Sequence, residues 1–237
     1  MKNTSIKSIS IIAGIGWLVI IITGLLAEMI FRVPLIDMAD PAATVLNISG
    51  SIFGFKMSII LDLIMILTDI TVAWALYMIL LHVNKRYSLL MTLFRLVMAV
   101  ILALNLLNLM FVAMLLSSNG LPEGMSAQQL EYFVMLFLNA HGYGYDISLI
   151  FFGLHLLMLG YIIIKSGFLP GIPGWMLLAA SIGYITDSAA SIILPDESEI
   201  LTITAHALMF LAVIAEITIS FYLISKAGKI DEKIENL

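Results

Sequence analysis

The chain contains no cysteine in its 237 residues. That excludes disulfides, thiolate metal sites, iron–sulfur clusters and covalent haem attachment. Charge is nearly as scarce: Asp, Glu, Lys and Arg together make up 11%, against about 25% in soluble domains. No run of basic residues offers a surface for nucleic acid. With only four histidines, a divalent metal would have to rest on imidazole and carboxylate. No internal repeat is visible, so the inverted-repeat signature of many secondary transporters is missing.

What fills the chain instead is apolar. Hydrophobic residues account for 62% and the mean hydropathy is +1.10. Six runs, at residues 8–31, 56–82, 87–116, 142–164, 174–194 and 198–225, are each near or above the ~20 residues that cross a bilayer. The expected fold is therefore all-α: a polytopic integral membrane protein, one transmembrane domain over residues 1–237, built as a bundle of about six spanning helices. The first run, from about Ile9 to Phe31, is longer than the 7–15 residues of a signal-peptide core and is followed by no A-x-A-type site. It reads as a retained span.

Two connections are long. The first, residues 32–55, contains PLIDMADPAATVLNISGS. In the second, residues 117–141, Ser126 is placed to cap an amphipathic helix bearing Leu130, Phe133, Leu136 and Phe137, expected to lie along the membrane surface. Lys2, Lys7, Lys85, Arg86, Lys165, Lys226, Lys229 and Lys233 all fall on one side of the six-span arrangement, leaving Arg32 and Lys56 on the other. This bias places both termini in the cytoplasm, with the two long connections and the acidic PDESE (residues 195–199) facing outward.

Nine ionisable side chains lie within the apolar runs: Glu28, Asp62, Asp69, Arg95, Asp146, His155, Asp187, His206 and Glu216. Each costs roughly 2.5–3.5 kcal/mol at the bilayer centre, so intramembrane charges are functional candidates by default. Helical rise puts Arg95, His155 and Glu216 roughly 12–15 Å from the cytoplasmic end and Asp69 and Asp187 at about 20 Å. It puts Glu28, Asp62, Asn108, Asp146 and His206 at roughly 30 Å. The shared level of Arg95 and Glu216 predicts a structural ion pair. Phase groups Asp62 with Asp69 on one stripe, His141 with Ser148 and His155 on another, and His206 with Glu216 on a third; Asp146 falls nearly opposite His155. Asp69, His155, Asp187 and His206 are the candidate metal ligands, although no pair has local ligand spacing such as H-E-x-x-H. The structural alternative is a set of hydrogen-bonded seams that specify helix packing.

The segment HGYGYDISLIFFGLHLLMLGYIIIKSGFLP (residues 141–170), together with PAATVLNI (41–48), LFRLVMAVILALNLLNL (93–109) and GYITDSAASIILP (183–195), resembles the bacterial membrane-protein family labelled domain of unknown function 4386. The resemblance implies a compact multi-span protein of the bacterial inner membrane and carries over no activity, substrate or cofactor. It draws attention to Arg95, Asn105, Asn108, His141, Tyr145, His155, Tyr184 and Asp187.

The residues therefore predict a polar, carboxylate- and histidine-lined cavity within the bilayer. Its candidate ligand-binding residues are Asp62, Asp69, Asn105, Asn108, His141, Tyr145, His155, Tyr184, Asp187 and His206. One class of function is binding or transport of a small polar or cationic solute, with histidines exchanging protons near neutral pH. A second is a metal-dependent intramembrane hydrolase acting on a lipid-like substrate. A third is a sensor or accessory subunit whose polar seams are structural.

Overall fold

Helix is the response of an apolar chain to a medium that offers its backbone no hydrogen-bond partners. The computed structural model describes residues 5–117, 124–194 and 199–235, and among them there are helices and no strand. α1 (Ile6–Leu25) starts at Ser5, whose hydroxyl accepts from the Ser8 amide, and runs on through a wider π turn (Leu26–Arg32) and a 3-10 turn (Val33–Leu35). α2 (Pro41–Gly50) lies in the first long connection, started by the Asp40 carboxylate and by Pro41 in its first turn. α3 (Ile52–Leu116), α4 (Ala127–Ser166), α5 (Gly171–Ile193), α6 (Glu199–Ser225) and the short α7 (Ala227–Glu235) follow.

α3 is too long for one crossing, at 65 residues and 1.5 Å of rise per residue. It breaks at Asn84, whose backbone is extended (φ −158°, ψ 104°). The Asn84 side chain accepts from the amides of Arg86 and Tyr87, both at 3.1 Å, and so starts the second limb. The limbs, residues 52–83 and 85–116, fold back on each other as the second and third expected spans. With α1, α4, α5 and α6 this gives a six-span bundle, and all five helices involved are long and apolar enough to cross a membrane. The bundle end that holds Lys7, the Asn84 break and α7 is called the near end below; the opposite end is the far end.

One expectation is corrected. The amphipathic segment after Ser126 is not a separate surface helix but the first turns of α4, which continues unbroken to Ser166. Ser126 and Gln129 form a reciprocal capping box. Leu130, Val134 and Leu138 are buried against the second limb of α3, and the Phe137 ring packs tilted against Phe111 at 5.0 Å. No proline separates the amphipathic part from the span, and Gly142 and Gly144 at the junction do not interrupt the helix. The PDESE segment lies outside the described residues except for Glu199, the first residue of α6.

Small residues set the helix spacing. A Cβ on Gly160 would meet the Gly174 carbonyl oxygen at 2.6 Å, and one on Gly183 the Ala205 carbonyl oxygen at 2.7 Å. α5 is thereby held in close backbone contact with α4 on one side and α6 on the other. Outside, Ile15, Ile22, Leu104, Met114, Phe210 and Phe221 are all at least half exposed, as a lipid-facing surface requires.

Candidate functional site

Asp62 and Asp69 do share a stripe of α3, and each meets an arginine. At the far end the Arg32 side chain, carried by the π turn after α1, bonds Asp62 and also donates from Nε and one terminal nitrogen to Glu28 Oε2 at 2.9 and 2.7 Å. By sequence Arg32 belongs to the far-end connection; the structure buries it to 4% exposure. The available signal was Glu28 at i−4, which puts carboxylate and guanidinium on one helix face.

Deeper in the bundle Arg95 is almost fully buried, at 1% exposure. Its Nε donates to Asp69 Oδ1 at 2.8 Å, with a second bond from a terminal nitrogen to the same oxygen. The other terminal nitrogen stands 3.0 Å from His155 Nε2, while His155 Nδ1 stands 3.0 Å from the Met91 carbonyl oxygen. With Arg95 donating to Nε2, the ring proton belongs on Nδ1, where that carbonyl accepts it. The guanidinium lies between the Trp17 and Phe152 rings, 5.7 and 5.8 Å from their centroids. Phe152 in turn stacks on His155 and meets Tyr184 edge-on at 5.0 Å.

The expected Arg95–Glu216 ion pair is therefore not the contact formed. Arg95 pairs with Asp69, which helical rise had set some 5–8 Å nearer the far end. A guanidinium on its long stem spans that difference, so backbone depth does not decide the partner. Glu216 remains within electrostatic range of Arg95 and Asp69 and faces the Trp17 indole. Its buried Oε1, like Trp17 Nε1, closes no hydrogen bond with another described residue.

Three cavities lie in series along this polar line. A far-end vestibule of about 350 Å³ is lined by Glu28, Arg32, Met38, His141, Tyr145 and Asp146, among others. A constriction of about 10 Å³ follows, among Asp62, Met65, Leu106, His141 and Tyr145. Below it an inner cavity of about 230 Å³ is walled by Asp69, Arg95, Tyr145, Phe152, Tyr184 and Glu216 together with methionines and leucines. Tyr145 borders all three. Glu216 enters from α6, Tyr145 and Phe152 from α4, Tyr184 from α5, and Asp69 and Arg95 from the two limbs of α3.

The other expected site residues fall into smaller groups. Asn105 Nδ2 donates to the His141 carbonyl oxygen at 2.9 Å, and Asn108 Nδ2 donates to Asn105 Oδ1 at 2.9 Å. These amides join the second limb of α3 to α4. Asp146, set apart by helical phase, accepts from Ser191 Oγ at 2.7 Å across to α5. Asp187 and His206 approach within 3.6 Å, with the His206 side chain 61% exposed. The four candidate metal ligands are thus split into two pairs, with Asp69 and His155 both engaged by Arg95. Among the described residues no three His, Asp or Glu side chains converge on a common point.

A family model described as "Domain of unknown function (DUF4386)" matches residues 12–227. An uncharacterized protein of Archaeoglobus fulgidus is 35% identical over 142 residues, covering 60% of this chain and 69% of that protein. No solved structure matches.

Proposed function

The chain belongs to the DUF4386 family, and we propose that it binds a small cation, of the organic ammonium class, in the inner cavity, admitting it from the far end past Tyr145. The observation that carries this reading is the Glu216 carboxylate, nearly fully buried and with an oxygen left without a hydrogen-bond partner. Ionising a buried carboxyl without a partner is costly, and a bound cation offsets that cost. The cavity holds two carboxylates, Asp69 and Glu216, against one guanidinium, Arg95. Arg95 is already bonded to Asp69, which leaves Glu216 as the carboxyl with no bonded counter-charge.

The surroundings favour an ammonium ion over a strongly hydrated metal ion. Phe152, Tyr145 and Tyr184 line the cavity, and aromatic rings attract cations most strongly where water is excluded. The constriction at Asp62 and Tyr145 separates this chamber from the vestibule, where Glu28 adds a further carboxylate. The basic-residue bias supports an external far end, and on that orientation the cation would be taken from the external side of the membrane.

The test is calorimetric titration of the detergent-purified protein with methylammonium, tetramethylammonium and choline, alongside a thermal melt. Wild type and Lys165→Gln, a change at an exposed site, are expected to show saturable binding. Glu216→Gln is expected to lose at least tenfold in affinity while keeping a cooperative melt. Equal affinity in Glu216→Gln, or no binding by a folded wild type, refutes the reading. Stoichiometric manganese or zinc that copurifies and leaves with Glu216→Gln would move the cation class from ammonium to metal.

A further inference from the structure

A cavity larger than these three lies outside the polar line. It is a groove of about 770 Å³ between the far ends of the two α3 limbs, lined by Ile60, Leu63, Ala103, Met110 and Ala113, with Lys56 at its rim. Ala103, Leu106, Met110 and Ala113 recur every three to four residues on the second limb and form one stripe of it. The two alanines leave the space that larger side chains would fill. Ile60, Met110 and Met114 along the groove are about half exposed or more, so it opens sideways, toward lipid.

Length and charge identify the occupant. From Ser117 at the rim to Ala103 the groove descends about 21 Å along the second limb, and from Lys56 to Leu63 about 10 Å along the first. One leaflet's share of the hydrocarbon core is about 15 Å, so the groove has the depth of a single acyl chain. Among the described residues Arg32 and Lys56 are the far-end cations: Arg32 is neutralised by Glu28 and Asp62, whereas exposed Lys56 forms no salt bridge. Its ammonium stands where the headgroup phosphate of a lipid in the groove would lie. A lysine ammonium binds a phosphate as a point charge on either side of the membrane.

We propose that this groove is a phospholipid site, holding one acyl chain between the α3 limbs with the headgroup phosphate on Lys56. It is independent of the cation reading, since its lining shares no residue with the inner cavity. It implies that an anionic lipid braces the hairpin whose limbs carry Asp62, Asp69 and Arg95.

The experiment uses the full chain, washed in mild detergent, with bound phospholipid counted by native mass spectrometry. Delipidated protein is then reloaded in parallel with phosphatidylglycerol and phosphatidylcholine. Wild type is expected to retain about one phospholipid and to prefer phosphatidylglycerol. Lys56→Gln is expected to retain about fivefold less phosphatidylglycerol and to lose the preference. Ala103→Phe, which fills the groove from an exposed position, is expected to lose both lipids. Both changes are at exposed positions, so the fold is retained, and a thermal melt verifies it. The proposal is overturned by a folded wild type that retains no phospholipid, or by variants that keep wild-type lipid content and preference.

Discussion

Removing either member of the Arg95–Asp69 pair strands the other in a site where each is under 5% exposed. Breaking a buried pair from one side costs about 3–5 kcal/mol, more than deleting both partners together. Arg95→Gln and Asp69→Asn should each lower the melting temperature sharply. The double variant should be more stable than the sum of the two losses predicts, by a coupling of about 1–3 kcal/mol. The Arg95→Gln/Glu216→Gln pair should show the smaller coupling, because charge proximity without a hydrogen bond links those groups. Thermal unfolding of the four proteins in each cycle decides it; strictly additive losses for Arg95 and Asp69 would show that the observed bond contributes no net stability. At this scale the sequence exposed which residues matter and misassigned who meets whom. Nine intramembrane ionisables were legible from hydropathy alone. Arg95 was not assignable to Asp69, because side-chain reach exceeds the depth difference that rise per residue resolves. Arg32 escaped notice because it sits at the edge of an apolar run, where an arginine is ordinarily solvated.

Helix–helix contact in this chain rests on backbone approach, since lipid is as apolar as leucine and supplies no hydrophobic drive between spans. Gly160 and Gly174 face each other, each with a Cβ position under 3.0 Å from the other's carbonyl oxygen. A side chain there must push α4 and α5 apart, because a backbone carbonyl has no rotamer to move into. Gly160→Leu is expected to destabilise by about 1–3 kcal/mol or more, seen as a lowered melt. Gly142→Leu, on the same helix with no atom within contact of its Cβ, should change the melt little. Equal losses in the two variants would mean that glycine acts here through helix propensity and not through packing. The spans themselves were readable because runs of about 20 apolar residues have one stable solution in a bilayer. Their junctions were less so. The fourth apolar run starts at residue 142, yet the helix begins at Ala127, because a capping box and the apolar stretch of residues 132–138 carry it on across the polar step at residues 139–141. Conversely α3 reads as two spans, and the backbone break at Asn84 agrees, since Lys85 and Arg86 interrupt the apolar pattern there.

For the whole molecule, two arginine–carboxylate nodes stand one above the other through a six-span bundle, one near the far end and one deeper, with Tyr145 between the cavities beside them. This stacking gives the two ends different electrical characters. Lys7, Lys85, Arg86, Lys165, Lys226, Lys229 and Lys233 gather at the near end, while Arg32 is consumed internally and Lys56 is left at the far rim. Insertion holds basic ends in the cytoplasm, so the near end should be cytoplasmic and the vestibule should open outward. The absence of native cysteine makes the check direct, because a single introduced thiol is the only one to react. In intact cells Met38→Cys, in the exposed segment before α2, should be labelled by a membrane-impermeant maleimide, and Lys165→Cys should be protected until the membrane is permeabilised. The reverse pattern would put the vestibule inside the cell, and the cation would then be drawn from the cytoplasm. The Glu216 site and its affinity would be unchanged by that inversion, since binding depends on the local charge count and only the side of access depends on topology.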